Sequence, residues 1–225
     1  MRMRRKPWAR PELNACPFFV QTPDECLGKW HSLFTKDRPV DLELGCGKGY
    51  FLAGAAPADP GTNYIGVDVK DAVLGPAKRN IEEAYRAADR EPDNILLTAL
   101  NIERIRDAMG KNDTVRRIYI NFCNPWPKIK HRKRRLTHPR QLEQYKTFLV
   151  PGGEIRFKTD DDGLFEDTLG YLAECGFQVT AVTHDLHGDG WAENIMTEYE
   201  IKFLEKGIKI KALRAVYPGE SAAGN

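Results

Sequence analysis

At 225 residues, with 41% hydrophobic and 29% charged side chains, the chain is long enough for one substantial soluble domain with a buried core. No basic start leads into an apolar run, and nowhere do about 18 apolar residues follow one another, so neither a signal peptide nor a membrane span is expected and the cytoplasm is the expected compartment. The net charge of +2 is too small to imply nucleic acid by itself, but the cations gather in MRMRRKPWAR at the start and KIKHRKRR in the middle. Cys16, Cys26, Cys46, Cys123 and Cys175 are scattered without a CxxC spacing, which suits reduced thiols and predicts no structural metal.

Residues 1–38 mix prolines, cysteines and basic residues without clean periodicity and read as a basic arm or irregular leading segment with one short helix near Pro23 to Phe34. VDLEL (40–44) is a buried strand running into GCGKG, and a helix from Tyr50 to Ala56 should end at Pro57 in the PADPG turn. NYIGVDV (63–69) is a second strand, followed by a helix from Ala72 to Ala88. NILLTAL (94–100) and RRIYINF (116–122) give two more strands, with a short helix around Glu103 to Met109 between them. Beyond the basic run come a helix from Pro139 to Phe148, the LVPGG turn, strand EIRFKT (154–159), a helix from Gly163 to Cys175 and strand FQVTAV (177–182). An extended segment around Thr197 to Leu204 closes the pattern as the seventh. Near-continuously apolar strands alternating with helices predict an α/β, doubly wound, mostly parallel sheet covered on both faces, spanning residues 39–218 with 219–225 as a tail. Such folds bind ligands beyond the carboxyl ends of their strands.

ELGCGKG follows the first strand and precedes a helix, the setting in which glycines let backbone amides approach a ligand. The spacing of Gly45, Gly47 and Gly49 fits neither the dinucleotide fingerprint nor the P-loop. Asp68 ends the second strand, where an acid can accept from two ribose hydroxyls, and Glu43 adds a carboxylate. That second carboxylate would repel a pyrophosphate but suits a ligand with ammonium and sulfonium cations, such as S-adenosylmethionine. A tight strand-to-helix turn is the plain alternative. Asn101 ends the third strand and can accept from an adenine amino group or serve as a turn or N-cap residue.

Asn124-Pro125-Trp126-Pro127 follows the fourth strand, and its prolines restrict Asn124 and Trp126. Asn124 can offer an acceptor and a donor to a base edge, and Trp126 a stacking face. Lys128, Lys130, Arg132, Lys133, Arg134 and Arg135 supply phosphate contacts, His131 joining them when protonated, unless the run is only a solvated charged face. A methyl donor beside a nucleic-acid groove is the reading that results. His184 and His187 in HDLHGD lack a third ligand at convincing spacing, which favours a loop role over a metal.

ELGCGKG, IGVD, NFCNPWPKIKHRKRRL, FKTD, DLH and NIMTEYEIKF together resemble the bacterial tRNA (guanine-N7)-methyltransferases, which modify a guanine in the variable loop of tRNA. The likeness runs from about Asp41 to the final strand. It implies a Rossmann-like class I methyltransferase fold, S-adenosylmethionine as donor and tRNA as partner. It further implies that Glu43, Gly45, Gly47, Gly49, Asp68, Asn101 and Asn124 line the donor site or catalytic pocket, and that Lys128, Asp160, Thr197, Glu198, Tyr199 and Glu200 meet the substrate. Asp160 is otherwise an N-cap, and Glu198 and Glu200 solvent-facing strand residues. The family usually has Asp where this chain has Asn101 and Asn124, the latter in its DPWPK motif. An exocyclic amino methyltransferase, or an RNA-binding protein of the same fold that has lost activity, are the alternatives. No obligate protein partner is evident from the sequence, and a homodimer is left open.

Overall fold

The computed structural model describes residues 6–191 and 193–219; the expectations for 1–5 and 220–225 lie outside the described residues. The chain folds as two compact units, Met1–Asp113 with Ile195–Thr197, and Thr114–Asn194 with Glu198–Asn225.

The first unit begins with α1 (Ala9–Asn14) and β1 (Phe19–Val20), followed by 3-10 turns at Pro23–Cys26 and Trp30–Leu33 where one helix was expected. It continues with β2 (Val40–Leu44), α2 (Tyr50–Ala58), β3 (Asn63–Asp68), α3 (Asp71–Ala87), β4 (Ile95–Ala99) and a 3-10 stretch at Ile102–Asp107. Its strands lie in the order β1-β4-β3-β2 and are all parallel, with Phe19 opposite Leu97, Tyr64 opposite Ile95 and Leu42 opposite Ile65. All five residues of β2 are buried, as strands covered on both faces require. On α3, Val73, Leu74, Ala77, Ile81 and Tyr85 recur at helical spacing and are buried. α1 has only six residues and a proline, too short to stand alone; it is held on α3 by the Arg10–Asp71 ion pair at 2.9 Å and by Glu12 accepting from Arg79. The buried carboxylate of Asp113 accepts from the Gly28, Trp30 and Gly110 amides at 2.6, 3.1 and 3.0 Å and so fastens the segment between the two 3-10 turns.

The second unit comprises β5 (Val115–Asn121), a 3-10 turn at Ile129–Arg134, α4 (Pro139–Tyr145), β6 (Leu149–Thr159), α5 (Asp162–Glu174), β7 (Gln178–Thr183), α6 (Glu198–Leu204) and β8 (Lys211–Val216). Here the order is β5-β6-β8-β7, with β5 and β6 parallel and β8 antiparallel to both its neighbours. LVPGG is a bulge inside β6: the register jumps from Val115 opposite Leu149 to Arg117 opposite Glu154, and Gly152 takes φ +78°.

Most predicted elements appear within a residue or two, and beyond the split 3-10 turns and the β6 bulge three further readings change. Pro57 does not end α2, which runs one residue further because Asp59 N–H donates to the Ala55 carbonyl at 3.0 Å and only one intrahelical bond is lost to the proline. The segment 197–204 is not a strand: Glu198 pairs with Lys202, and Tyr199 and Phe203 lie 6.1 Å apart, both at i,i+4 spacing on one helix. The closing strand is β8 instead, and with β1 it makes eight strands among the described residues rather than seven. No described helix is long and apolar enough to cross a membrane.

Candidate active site

In the first unit, the loop after β2 is built from glycines in the left-handed region, with φ +79°, +54° and +71° at Gly45, Gly47 and Gly49. The Gly45 and Cys46 amides both donate to the Val67 carbonyl, at 2.8 and 3.0 Å, anchoring the loop to the end of β3. Gly49 opens α2 where a Cβ would lie 3.0 Å from that of Ala77, so both conformation and space demand glycine there. Asn80 of α3 completes the frame by donating to the Lys48 carbonyl at 2.9 Å.

Asp68, at the end of β3, accepts from the Gly47 amide and from the Lys70 amide, both at 3.1 Å. Burial pushes its carboxyl up from the usual Asp value, against the downward pull of those amides. Glu43 is 3% exposed in β2, opposite Gly66. This unit thus joins Glu43, the three glycines and Asp68 through one strand pair and its loop. Asn101 is exposed and caps the 3-10 stretch by accepting from the Glu103 amide at 3.1 Å. Thr197 is buried and belongs to this unit, and Ile195 packs on α2 so closely that a Cβ on Gly54 would meet it at 2.8 Å.

In the second unit, the chain leaves β5 through two residues forced into left-handed conformations, Phe122 at φ +54° and Trp126 at φ +41°. Between them Asn124 is exposed, and its Oδ1 accepts from the Trp126 amide at 3.0 Å, closing a two-residue side-chain turn. Trp126 is flanked by Arg134 at 5.2 Å and His131 at 5.8 Å from its ring centre, so part of the face expected to stack on a base is covered from within the chain. Burial pushes the Cys123 thiol up to about 12.

The cationic run divides in two. Lys128, Lys130, Lys133 and Arg134 are exposed, as is Ile129 at 81%. Arg135, expected on the RNA backbone, is instead buried: its Nε donates to the Pro125 carbonyl at 2.6 Å and its Nη1 to Asp167 at 2.5 Å. It braces the NPWP turn, with its side chain 3% exposed. Arg132 is part-way, reaching the same Asp167 at 3.4 Å.

Asp160 directly follows β6, half-buried, and the N-cap of α5 is its neighbour Asp161, which accepts from the Leu164 amide at 2.6 Å. On α6 the Tyr199 ring is 52% exposed and stacks at 5.9 Å on Phe122, the residue that leaves β5. Glu200, expected to meet substrate directly, is fully buried: Lys158 Nζ lies 2.7 Å from Oε2, Asn194 Nδ2 donates to Oε1 at 2.8 Å, and His187 Nε2 is 3.4 Å from Oε1. Phe122, Lys158 and Asn194 were not singled out in the sequence. Lys158 and Glu200 are 42 residues apart, and nothing local marks their pairing. His184 sits edge-on to Phe165 at 5.2 Å, and among the described residues no group of three or more His, Cys, Asp or Glu is arranged to hold a metal.

A family model described as "Putative methyltransferase" matches residues 37–213. Among curated relatives, the tRNA (guanine-N(7)-)-methyltransferase of Clostridium beijerinckii is 58% identical, covering 96% of this chain and 99% of its own length. The protein of the same name from Acetivibrio thermocellus is 52% identical with the same coverage. Among solved structures, the 16S rRNA (adenine(1408)-N(1))-methyltransferase from Catenulisporales acidiphilia aligns with a TM-score of 0.59 at 18% identity, covering 90% of this chain and 94% of that one. The 16S rRNA methyltransferase KamB aligns with a TM-score of 0.58 at 14% identity, covering 83% and 90%; at such identities the likeness is one of fold.

Proposed function

The chain belongs to the family of tRNA (guanine-N(7)-)-methyltransferases and has the Rossmann-like class I methyltransferase fold, and from that premise we propose that it transfers a methyl group from S-adenosylmethionine to N7 of a guanine in the variable loop of tRNA. The observation that carries the donor reading is a loop of three left-handed glycines whose middle amide, that of Gly47, donates to the half-buried carboxylate of Asp68. Left-handed glycines give a ligand access to backbone amides, and the carboxylates of Asp68 and Glu43 suit ribose hydroxyls and cationic groups, a chemistry a pyrophosphate would not fit. Asn101 serves at the adenine end of that site, and residues 39–218 form the catalytic domain.

S-adenosylmethionine, when bound, supplies a methyl group activated by its sulfonium. Guanine N7 carries an unprotonated lone pair, so the new N–C bond forms as the S–C bond breaks, no proton is removed, and the positive charge passes to the base. A general base is therefore dispensable, and the protein acts by alignment and electrostatics. Asn124 is the positioning group at the reacting end, pre-set by its bond to the Trp126 amide. Asp160, Thr197, Glu198 and Tyr199 with Lys128 receive the guanine and its nucleotide, Glu200 supports them from the interior, and Lys130, Lys133 and Arg134, with part of Arg132, take the RNA backbone. An activity on tRNA is in keeping with a cytoplasmic location.

The test is nucleoside mass spectrometry of unmodified tRNA incubated with the protein and S-adenosylmethionine, with the modified position mapped. 7-Methylguanosine in the variable loop is expected. Methyladenosine, methylcytidine or N2-methylguanosine in its place would transfer the assignment to an exocyclic amine, and no product from folded protein would leave an RNA-binding protein of this fold.

A further inference from the structure

We propose that Lys158 is a positioning residue for the guanine pocket, acting through the buried carboxylate of Glu200 on the first turn of α6. The idea rests on the reading that the residues around Tyr199 receive the guanine.

Lys158 lies near the end of β6 with its side chain 12% exposed, which removes it from the pool of cations available to RNA. Its Nζ is 2.7 Å from Glu200 Oε2 and 2.9 Å from Asn194 Oδ1, while Asn194 Nδ2 donates to Glu200 Oε1 at 2.8 Å. The three side chains form a closed ring in which each touches the other two. A carboxylate with no exposed surface stays ionised only when paired and hydrogen-bonded, and this ring provides both. His187 approaches Oε1 at 3.4 Å from the segment after β7, and on α6 itself the nearest charges are Glu198 and Lys202, which pair with each other.

Fixing Glu200 fixes its neighbours. Tyr199 precedes it and stacks on Phe122, and Phe203, one turn on, packs 5.7 Å from the same ring. A seven-residue helix does not hold its place by helix propensity, so its position depends on the Glu200 anchor and these rings. Removing the ammonium would strand a buried carboxylate, which would then pull toward water and carry Tyr199 with it.

The test measures kcat and KM for a tRNA transcript, and S-adenosylhomocysteine affinity by calorimetry, for wild type, Lys158→Met, Lys158→Arg and the double variant Lys158→Met/Glu200→Gln. Lys158→Met should raise KM for tRNA at least about tenfold, with kcat and S-adenosylhomocysteine affinity changed by less than about threefold. Lys158→Arg should recover part of the KM, and so should the double variant, in which no buried carboxylate is left without its cation.

An unchanged KM, or a double variant no better than the single one, would overturn the proposal. Should Lys158→Met not fold, the neutral double variant carries the test alone: a raised tRNA KM with intact S-adenosylhomocysteine binding supports it, and a wild-type KM overturns it. Formation of 7-methylguanosine by the wild-type protein is scored separately, so a failed positioning role and a failed assignment of the reaction remain distinguishable.

Discussion

Gly49→Ala is a sharp test of how the donor loop is built. An alanine at φ +71° costs about 1–2 kcal/mol in backbone energy. Its Cβ would also sit 3.0 Å from Ala77 Cβ and 3.2 Å from Ala77 Cα, where overpacking costs a further ~1–3 kcal/mol because the neighbour is backbone-bound and cannot swing aside. Gly47→Ala is the matched control. It has a similar conformation, φ +54°, but the nearest atom to its Cβ is the Gly45 carbonyl oxygen at 4.0 Å, so only the backbone cost applies. For a chain of this size each kcal/mol lowers Tm by about 2–4 °C, so Gly49→Ala should cost roughly 4–20 °C and Gly47→Ala roughly 2–8 °C in thermal denaturation. S-adenosylhomocysteine calorimetry should show both variants weakened, since both distort amides of the same loop. Equal Tm losses in the two variants would refute the packing argument, and unweakened binding in both would refute the donor site.

Asp68 sits in a pocket that raises its carboxyl, and only the ionised form accepts two ribose hydroxyls, so S-adenosylhomocysteine affinity should fall on the acid side, beginning at a higher pH than for an ordinary Asp; Asp68→Asn should bind more weakly with a flat acid limb in the same calorimetric series. Arg135→Ala should destabilise the protein by about 2–4 kcal/mol in urea unfolding, at the low side for a buried pair because Asp167 is 31% exposed, and should leave the salt dependence of tRNA binding intact. Lys133→Ala with Arg134→Ala should do the reverse, sparing stability while lowering the slope of log K against log salt by roughly 0.7–0.9 per contact. Asn124→Asp preserves the acceptor for the Trp126 amide and places a negative charge where the base becomes cationic, so kcat should rise; about fivefold corresponds to ~1 kcal/mol, the Coulomb energy of a solvated pair, and a fall in kcat would show that the amide's donor is needed.

The elements legible in the sequence are those whose burial is local. VDLEL and NYIGVD are short segments rich in apolar and β-branched residues and buried almost throughout, Asp41 and Glu43 included, and the glycine loop announces itself through its left-handed turns. The segment TEYEIKF failed because alternating apolar residues satisfy a strand while Tyr199 and Phe203 also satisfy a helix at i,i+4; what decides between them is Phe122, 77 positions before Tyr199. β8 was missed because KALRAV is short and starts with a lysine whose burial is supported by distant partners, Asp162 at 2.5 Å and the Asp160 carbonyl at 3.1 Å. The basic run shows the same limit in the site itself. Charge and spacing treat Arg134 and Arg135 alike, whereas Asp167, far along the chain, withdraws one of them from the surface.

That division bears on the amide at position 124. In the free protein Asn124 stands on a turn followed by the exposed cations Lys128, Lys130, Lys133 and Arg134, with no carboxylate of its own to offset a developing positive charge on guanine. Their field opposes methyl transfer to an isolated base. RNA phosphates on those same side chains cancel that field, so the electrostatic handicap of an amide is largest for a free nucleoside and smallest for a guanine delivered within a folded tRNA. If Asn124 and the basic run act as proposed, bound phosphates supply negative charge that the side chain at 124 lacks, and a free guanine nucleoside should be methylated far more slowly than the same guanine in tRNA; equal turnover would refute this electrostatic account.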